Sequence, residues 1–560
     1  MAKAINRRDF ITATVATGAL AGVASLTGCS PSSTTDSNSE TEQTTHTWES
    51  APDPISEDEI VETVDADVVV VGAGVAGMAA FMYASEAGAA TVIIEELDSC
   101  SGRGLDFAAI GTKVQDEMSI EIDKGAVIND LVKSSGYKAN GKLLKLWADH
   151  SGEIFNRMIE MSEEDGVEVT MGAATQPATS TEDVDYAQDY LTRTYPTDHE
   201  FGAVVEGTTS LIGRMEKAGQ EAGGESRYNT KAEQLITDDS GAVIGVIAST
   251  DDGYIQFNAA KGVILATGDY GGNDDMVATW CPLVEKVDGS VYTSAGANTG
   301  DGINMAMWVG GTIQSSDHAA MIHPIFGGGA MSTASFLKIN GDGERFCNEN
   351  TSLPGISNMY LTNGGKVWSI FDSNYEEQMD GMSYLSNYNN ETAGPLTQFY
   401  MDGTMDASNP GTPTEVVNLC LENGTTFEAD SIEELADLIG VPFDALVATV
   451  DRYNEMVDAG EDSDYGKNAE DLTPIKQAPF YASALTAKLL VIASGLNVDG
   501  QMRVLNESDE PITGLYAVGN VMGNFFANDY PICVPGLSHG RCITLGALIG
   551  QAVATGEELA

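Results

Sequence analysis

The clearest pattern along the chain is Asp67-Val68-Val69-Val70-Val71, a β-branched run with four apolar residues in succession. A strand that is apolar at every position is buried on both faces, as in a parallel sheet. A helix-like stretch, Met78 to Ala87, follows and ends at Gly88. A second run, Thr91-Val92-Ile93-Ile94, predicts the next strand and ends in Glu95. Far downstream, Ser431 to Asp451 reads as a helix, with Ser431 as its cap and Glu433-Glu434 in its first turn. Residues 375–412 are rich in Asn, Gly, Asp and Thr and predict surface loops. Residues 30–60 are polar and carry no apolar period, so they predict a flexible tether. No internal repeat is evident.

The connection between the first strand and helix reads Gly72-Ala73-Gly74-Val75-Ala76-Gly77. In a strand–loop–helix setting this spacing is a dinucleotide fingerprint. The first glycine makes the tight turn, the second admits the pyrophosphate, and the third lets helix and strand pack closely. The helix N-terminus stabilises the phosphate charge. Glu95 lies 23 residues after Gly72, where a carboxylate can accept from ribose hydroxyls. Gly72, Ala73, Gly74, Gly77 and Glu95 are therefore the first candidate cofactor contacts. This motif alone does not separate FAD from NAD.

Composition narrows the partners. The 560 residues are 42% hydrophobic and 20% charged, enough for two or three domains with buried cores. The formal net charge of −57 argues against nucleic acid, which needs clustered Lys and Arg, and against basic-patch adhesion to lipid. The charge suits solubility of an exposed surface, or steering of a basic electron-transfer partner.

The N-terminus reads as an export signal. Asn6-Arg7-Arg8-Asp9-Phe10-Ile11 looks like a twin-arginine motif. The weakly apolar stretch from Ala13 to Leu26 is short for a membrane span. Leu26-Thr27-Gly28-Cys29 resembles a lipobox that would leave Cys29 to carry lipid at the extracytoplasmic face of the cell membrane. The twin-arginine route exports folded proteins, which suits a cofactor loaded in the cytoplasm. The other six cysteines form no CxxC or CxxCH, so no haem-attachment or iron–sulfur motif is visible, and no metal site is expected.

Three later segments bring in a resemblance. Val263-Ile264-Leu265-Ala266-Thr267-Gly268, Thr299-Gly300-Asp301-Gly302 and Gly514-Leu515-Tyr516-Ala517-Val518-Gly519-Asn520 resemble motifs of the fumarate reductase/succinate dehydrogenase flavoprotein superfamily. The resemblance covers most of residues 62–560. It implies an α/β fold, a Rossmann-like FAD-binding domain interrupted by an α+β capping domain, and FAD as the cofactor. The implied layout is signal peptide 1–28, tether 29–61, FAD domain 62–320, capping domain 321–476, and FAD domain resumed at 477–560. It adds Arg103, Gly104, Ala232, Thr267, Gly268, Asp301, Asn520 and Ser538 as FAD contacts. His539 joins Ser538 at the start of a C-terminal helix whose N-terminus would favour negative charge on the reduced flavin.

The resemblance is incomplete where substrate binds. Fumarate-type relatives use two His and two Arg to clamp and protonate a dicarboxylate. His323, in His323-Pro324, matches one His, and Glu349, in Asn348-Glu349, matches an active-site Glu, although a hydrogen-bonded structural His and a salt-bridged carboxylate remain open readings. Val491 stands at the second His, Tyr530 at the clamping Arg, and no Arg occurs between Arg345 and Arg452 to serve as proton donor. An Arg fork is hard to replace for carboxylate recognition, so fumarate is not the expected substrate. Tyr530-Pro531 instead resembles the active-site loop of 3-oxosteroid dehydrogenases and of exported bacterial reductases similar to urocanate and cardiac glycoside reductases. Tyr530 would polarise a carbonyl or supply a proton, or else be a packed aromatic. Arg541 would replace a lost Arg, or pair within the fold. The expectation is an exported, lipid-anchored, FAD-dependent reductase of an electron-poor C=C bond, with electrons from a membrane or cytochrome partner. The reverse dehydrogenation of a ketone and a non-catalytic flavin electron carrier are the rivals.

Overall fold

The run Val68–Val71 is at most 4% exposed and lies in the middle of an eight-stranded sheet. This computed structural model describes residues 46–560 except 101, 103–105, 173–193, 203–206, 292–297, 325–326, 352, 381, 383–411 and 532. The expected signal peptide, most of the tether, Arg103 and Gly104 lie outside the described residues.

In chain order, β1 (Ile60–Val71) leads to α1 (Val75–Glu86) and β2 (Thr91–Ile94). Then come β3 (Phe107–Ala108), α2 (Gly141–Glu164), β4 (Val169–Met171) and β5 (Asp198–Phe201). They are followed by β6 (Glu225–Arg227), β7 (Lys231–Thr237), β8 (Val243–Thr250) and β9 (Gly253–Leu265). After α3 (Asp301–Trp308) and β10 (Ala320–His323), the chain forms β11 (Leu337–Asn340), α4 (Leu353–Thr362) and β12 (Val367–Asp372). Next are β13 (Thr426–Ala429), α5 (Ile432–Ile439), α6 (Phe443–Ala459) and β14 (Phe480–Ala484). β15 (Lys488–Ile492), β16 (Arg503–Leu505), β17 (Pro511–Ala517) and α7 (Leu537–Thr555) complete it.

The main sheet runs β16-β17-β9-β1-β2-β6, with β8 and β7 added beside β9. The pairs β17–β9, β9–β1, β1–β2 and β2–β6 are parallel, so their C-terminal ends open on one edge. Such an edge is where α/β sheets bind dinucleotides. α1 is almost wholly buried, which explains why its sequence is apolar all round rather than striped. It packs against α7, where Gly546 and Gly550 let the helices meet backbone to backbone. A Cβ at Gly550 would lie 2.2 Å from the Ala80 carbonyl oxygen.

A second, antiparallel sheet runs β11-β12-β14-β13, and α5 and α6 cover it. It has its own core, including Leu337, Ile370, Leu435, Leu446 and Tyr453. Its strand β14 lies beyond the boundary expected at 477, because Phe480–Ala484 pairs with both β12 and β13. A two-stranded link, β10–β15, joins this layer to the main sheet's edge, and β3-β5-β4 forms a third small sheet.

Three local expectations need correction. The tether does not reach 61. Trp48 is buried against Trp280 with ring centroids 4.4 Å apart, Trp308 donates to the Thr47 carbonyl, and Ile60 already begins β1. The helix expected from Met78 begins at Val75. The single helix expected over 431–451 is two helices, because Gly440 turns left-handed (φ 70°) and Pro442 restarts the chain. No helix among the described residues is long and apolar enough to cross a membrane.

The α1–α7 contact predicts that Gly550→Val destabilises the fold by about 1–3 kcal/mol through overpacking. Urea unfolding should show a lower midpoint at unchanged slope. An unchanged midpoint would mean that the two helices do not meet at these glycines.

Candidate active site

The cradle at the end of β1 is built from close backbone approaches. Gly72 has φ 103°, and a Cβ there would lie 2.6 Å from the Ala266 carbonyl oxygen. A Cβ at Gly77 would lie 1.9 Å from the Gly72 carbonyl oxygen. Gly74 caps α1 without any side chain, so the first-turn N–H groups and the positive helix end are left for an anion. Glu95 is fixed at the end of β2, where it accepts from the Ala73 N–H at 2.6 Å and the Leu97 N–H at 3.0 Å. A carboxylate retains further lone pairs for hydroxyl donors.

The other expected cofactor residues gather around the same edge. Thr230 N–H donates to the Glu95 carbonyl, which places Ala232, at the start of β7, on the Glu95 side. Lys231 pairs with Asp301 at 3.0 Å. The turn before α3 rests on Thr267, since a Cβ at Gly302 would lie 2.0 Å from its hydroxyl. Gly268 follows β9, and Gly519-Asn520 follows β17. If Glu95 holds one end of an extended dinucleotide over β2, the other end lies over β9 and β17. There it meets Asn520 and the first turn of α7, which holds Ser538. The glycine cradle, the uncapped helix and the fixed carboxylate fit FAD.

On the reaction side, Tyr530 is 4% exposed and its oxygen accepts the Ser538 N–H at 3.0 Å. That bond leaves the phenol's own hydrogen to donate. Burial pushes the phenol well above its ordinary range, so it stays protonated at neutral pH. Phe526 meets it edge to face at 5.0 Å, and His323 lies 6.2 Å away between ring centroids. His323 ends β10, is 6% exposed, and its Nε2 has no partner. Burial lowers its imidazole to about 4, so it is neutral at pH 7. The loop carrying Tyr530 also holds two non-glycine residues at positive φ, Asn524 at 67° and Ala527 at 64°. Backbone in that region is strained and marks pre-organised sites.

Two expected catalytic residues are placed differently. Glu349 is held in an ion network within the protein. Arg345 grips it with two bonds of 2.8 Å, Lys467 Nζ lies 3.4 Å away, and Arg345 also binds Asp462. Burial alone would raise its carboxyl, but Lys467 and Arg345 outweigh that and hold it below the ordinary range. It is a structural ion in the second layer. Arg541 is fully buried and donates to the Gly519 carbonyl at 2.9 Å and the Asn520 side-chain oxygen at 2.6 Å. Its planar head lies over Phe526 at 4.9 Å and Phe525 at 5.4 Å, so it does not replace a substrate-clamping Arg.

One cluster was not anticipated. Asp106, Asp198 and Glu200 bring carboxylate oxygens within 4.8 Å of one another. Desolvation and Glu200 push Asp106 up to about 6. His539 Nδ1 lies 3.0 Å from the Asp106 carbonyl, which places the cluster beside the first turn of α7. The β3–β5 pairing assembles it from residues 92 positions apart, and no local spacing announces it.

Comparison with known proteins agrees with this geometry. The profile of the FAD binding domain family matches residues 67–534. A vinyl phenol reductase of Lactiplantibacillus plantarum is 28% identical over 521 residues, covering 87% of this chain and 96% of that protein. A fumarate reductase (cytochrome) of Shewanella frigidimarina is 25% identical over 505 residues, covering 87% of this chain and 77% of that protein. The crystal structure of a 3-ketosteroid-Δ4-(5α)-dehydrogenase of Rhodococcus jostii, with 4-androstene-3,17-dione, shares the fold. Its TM-score is 0.68 at 23% identity, over 90% of this chain and 99% of that one.

The ion network yields a prediction with a definite sign. Glu349→Gln should lower stability by about 3 kcal/mol at pH 7, since it leaves buried cations under-compensated. A depressed carboxylate contributes fully above its unfolded pKa, about 4.3, and that contribution fades as pH falls through the lower folded value. The gap between variant and wild type in urea unfolding should therefore narrow below about pH 4. At pH 7, kcat of the folded variant should be unchanged. A large loss of kcat without a loss of stability would return Glu349 to the reaction.

Proposed function

The chain belongs to the FAD binding domain family, within the fumarate reductase/succinate dehydrogenase flavoprotein superfamily, and we propose that it reduces an uncharged C=C bond conjugated to a carbonyl. It is an FAD-dependent oxidoreductase of CH–CH groups, and its substrate is a small molecule. The observation that carries the substrate reading is the buried Tyr530 hydroxyl, anchored on the Ser538 N–H beside a neutral His323.

The cradle of Gly72, Gly74 and Gly77 with Glu95 would hold FAD, which when bound would provide the hydride chemistry at one carbon of the double bond. The protein's part is to manage the charge that appears at the conjugated oxygen. Tyr530 donates a hydrogen bond to that oxygen while the charge is present, and a proton taken up from solvent completes the second carbon. The Ser538 N–H behind it and the positive end of α7 favour the extra negative charge. His323 Nε2, buried and unpartnered, offers a second neutral polar contact. Arg345 and Arg541 are both engaged within the protein. This supports a neutral substrate over a dicarboxylate. The vinyl phenol named for one relative is also an uncharged conjugated alkene.

The four-stranded sheet with α5 and α6 serves as the capping domain over the substrate. The chain is exported by the twin-arginine route, carries lipid on Cys29, and works at the extracytoplasmic face of the membrane. Its electrons come from a membrane or cytochrome donor, and the acidic surface favours a basic partner.

A substrate panel with reduced methyl viologen tests the proposal: enone steroids, unsaturated lactones, hydroxystyrenes, urocanate and fumarate. Neutral conjugated alkenes should be turned over and fumarate should not. Tyr530→Phe should retain FAD and lose about 10²–10⁴-fold in kcat, the range for a positioned acid. Efficient fumarate turnover, or full activity of Tyr530→Phe, would overturn the assignment.

A further inference from the structure

Arg541 is the most unusual charge in the molecule. It has 0% exposure, yet among the described residues no carboxylate pairs with it. Its two terminal nitrogens are spent on neutral oxygens of Gly519 and Asn520, and its Nε has no partner at all. The contrast with Arg345, which is neutralised by both Glu349 and Asp462, is direct. A cation taken out of water without a counter-charge is strongly unfavourable. The two phenylalanine faces offset only a small part of that penalty, a few kcal/mol at most. Among the described residues the acids of the Asp106–Asp198–Glu200 cluster, beside the N-terminal end of the same helix, form no ion pair with it, so an anionic group bound at the site is the fitting source of negative charge.

Position narrows the source. The guanidinium is tied to Gly519-Asn520, the turn after β17, and projects from the second turn of α7. That is the end of the sheet edge opposite Glu95, whose residues would hold the flavin half of an FAD. Phe526 separates Arg541 from Tyr530, contacting both. The charge thus sits on the reaction side. The oxidised flavin ring is neutral, and the ring gains negative charge when two electrons arrive with one proton.

We infer that Arg541 is a potential-setting residue, a fixed buried cation that stabilises the negative charge of the two-electron-reduced flavin and so raises the flavin's midpoint potential. This rests on the FAD reading above. It assigns Arg541 no contact with substrate. The residue acts on how readily FAD is reduced, and it keeps the reduced ring from taking up a second proton near neutral pH. The FAD pyrophosphate is the competing source of negative charge, but it is equally charged in both oxidation states and so predicts a different result.

The test is an anaerobic redox titration of the purified holoenzyme against reference dyes, followed at the flavin absorbance from pH 6 to pH 9. Wild type is compared with Arg541→Gln, Arg541→Met and Arg541→Lys. FAD affinity is measured separately for the oxidised and reduced states. In Arg541→Gln and Arg541→Met the reduced state should be weakened at least tenfold relative to the oxidised state. That is a shift of about 30 mV to lower potential for a two-electron couple. The pH dependence should move from one proton per two electrons toward two. Arg541→Lys, which keeps the charge, should retain most of the wild-type potential and guards against mere loss of folding. Equal weakening of oxidised and reduced FAD with an unchanged potential would assign the charge to the pyrophosphate and overturn the inference. So would an unchanged potential with FAD fully retained. A wild-type protein that binds no FAD would instead overturn the cofactor reading, a separate outcome.

Discussion

The structure depends first on how closely the backbone at the end of β1 must pass the turn after β9. Gly72 lies so near Ala266 that a Cβ would reach within 2.6 Å of its carbonyl oxygen, and Gly77 lies still nearer to Gly72 itself. This contact fixes where α1 starts and directs its uncapped N-terminus at the sheet edge. α7 then meets α1 through Gly546 and Gly550, so the direction of α7 is set by the same packing. The first two turns of α7 carry Ser538 and Arg541, and Ser538 anchors Tyr530. One close backbone approach at the cradle is thereby carried, through two helices, to the residues proposed to handle substrate.

Charge is distributed unevenly across this arrangement. In the second layer, buried charges neutralise one another: Arg345, Glu349, Asp462 and Lys467 form a closed network. Tyr530 and His323 are themselves neutral, a protonated phenol and an uncharged imidazole. Near them lies Arg541, a buried cation with no ion-pair partner among the described residues. Among the described residues this site presents no free Arg fork, so it does little for a carboxylate-bearing substrate. It is suited to a neutral oxygen that acquires charge only during reaction, where pre-oriented donors act most strongly.

What was legible in the sequence was local. The strand–glycine–helix–strand–acid order spans fewer than thirty residues, and each part is required by backbone geometry, so Gly72, Gly74, Gly77 and Glu95 were found from spacing alone. Thr267, Asp301, Asn520 and Ser538 came from family motifs, and the fold brings them to the same edge. Partners far apart in sequence were not legible. Glu349 depends on Lys467, 118 residues away, and the Asp106–Asp198–Glu200 cluster depends on β3–β5 pairing. For Arg541 the sequence leaves open a substitute clamp or pairing within the fold, because it shows an Arg's presence and not its burial. The break at Gly440 was missed for a different reason: apolar periodicity continues across it, and a left-handed glycine with Pro442 overrides that period.

Anaerobic rapid mixing of the fully reduced holoenzyme with an enone bears most directly on the central claim. The account predicts that the flavin absorbance returns in a single turnover and that one equivalent of saturated ketone forms. It also predicts that fumarate leaves the flavin reduced over the same interval. A reduced flavin that persists with every conjugated alkene, yet reoxidises with a simple dye, would show an electron carrier and contradict the reductase assignment.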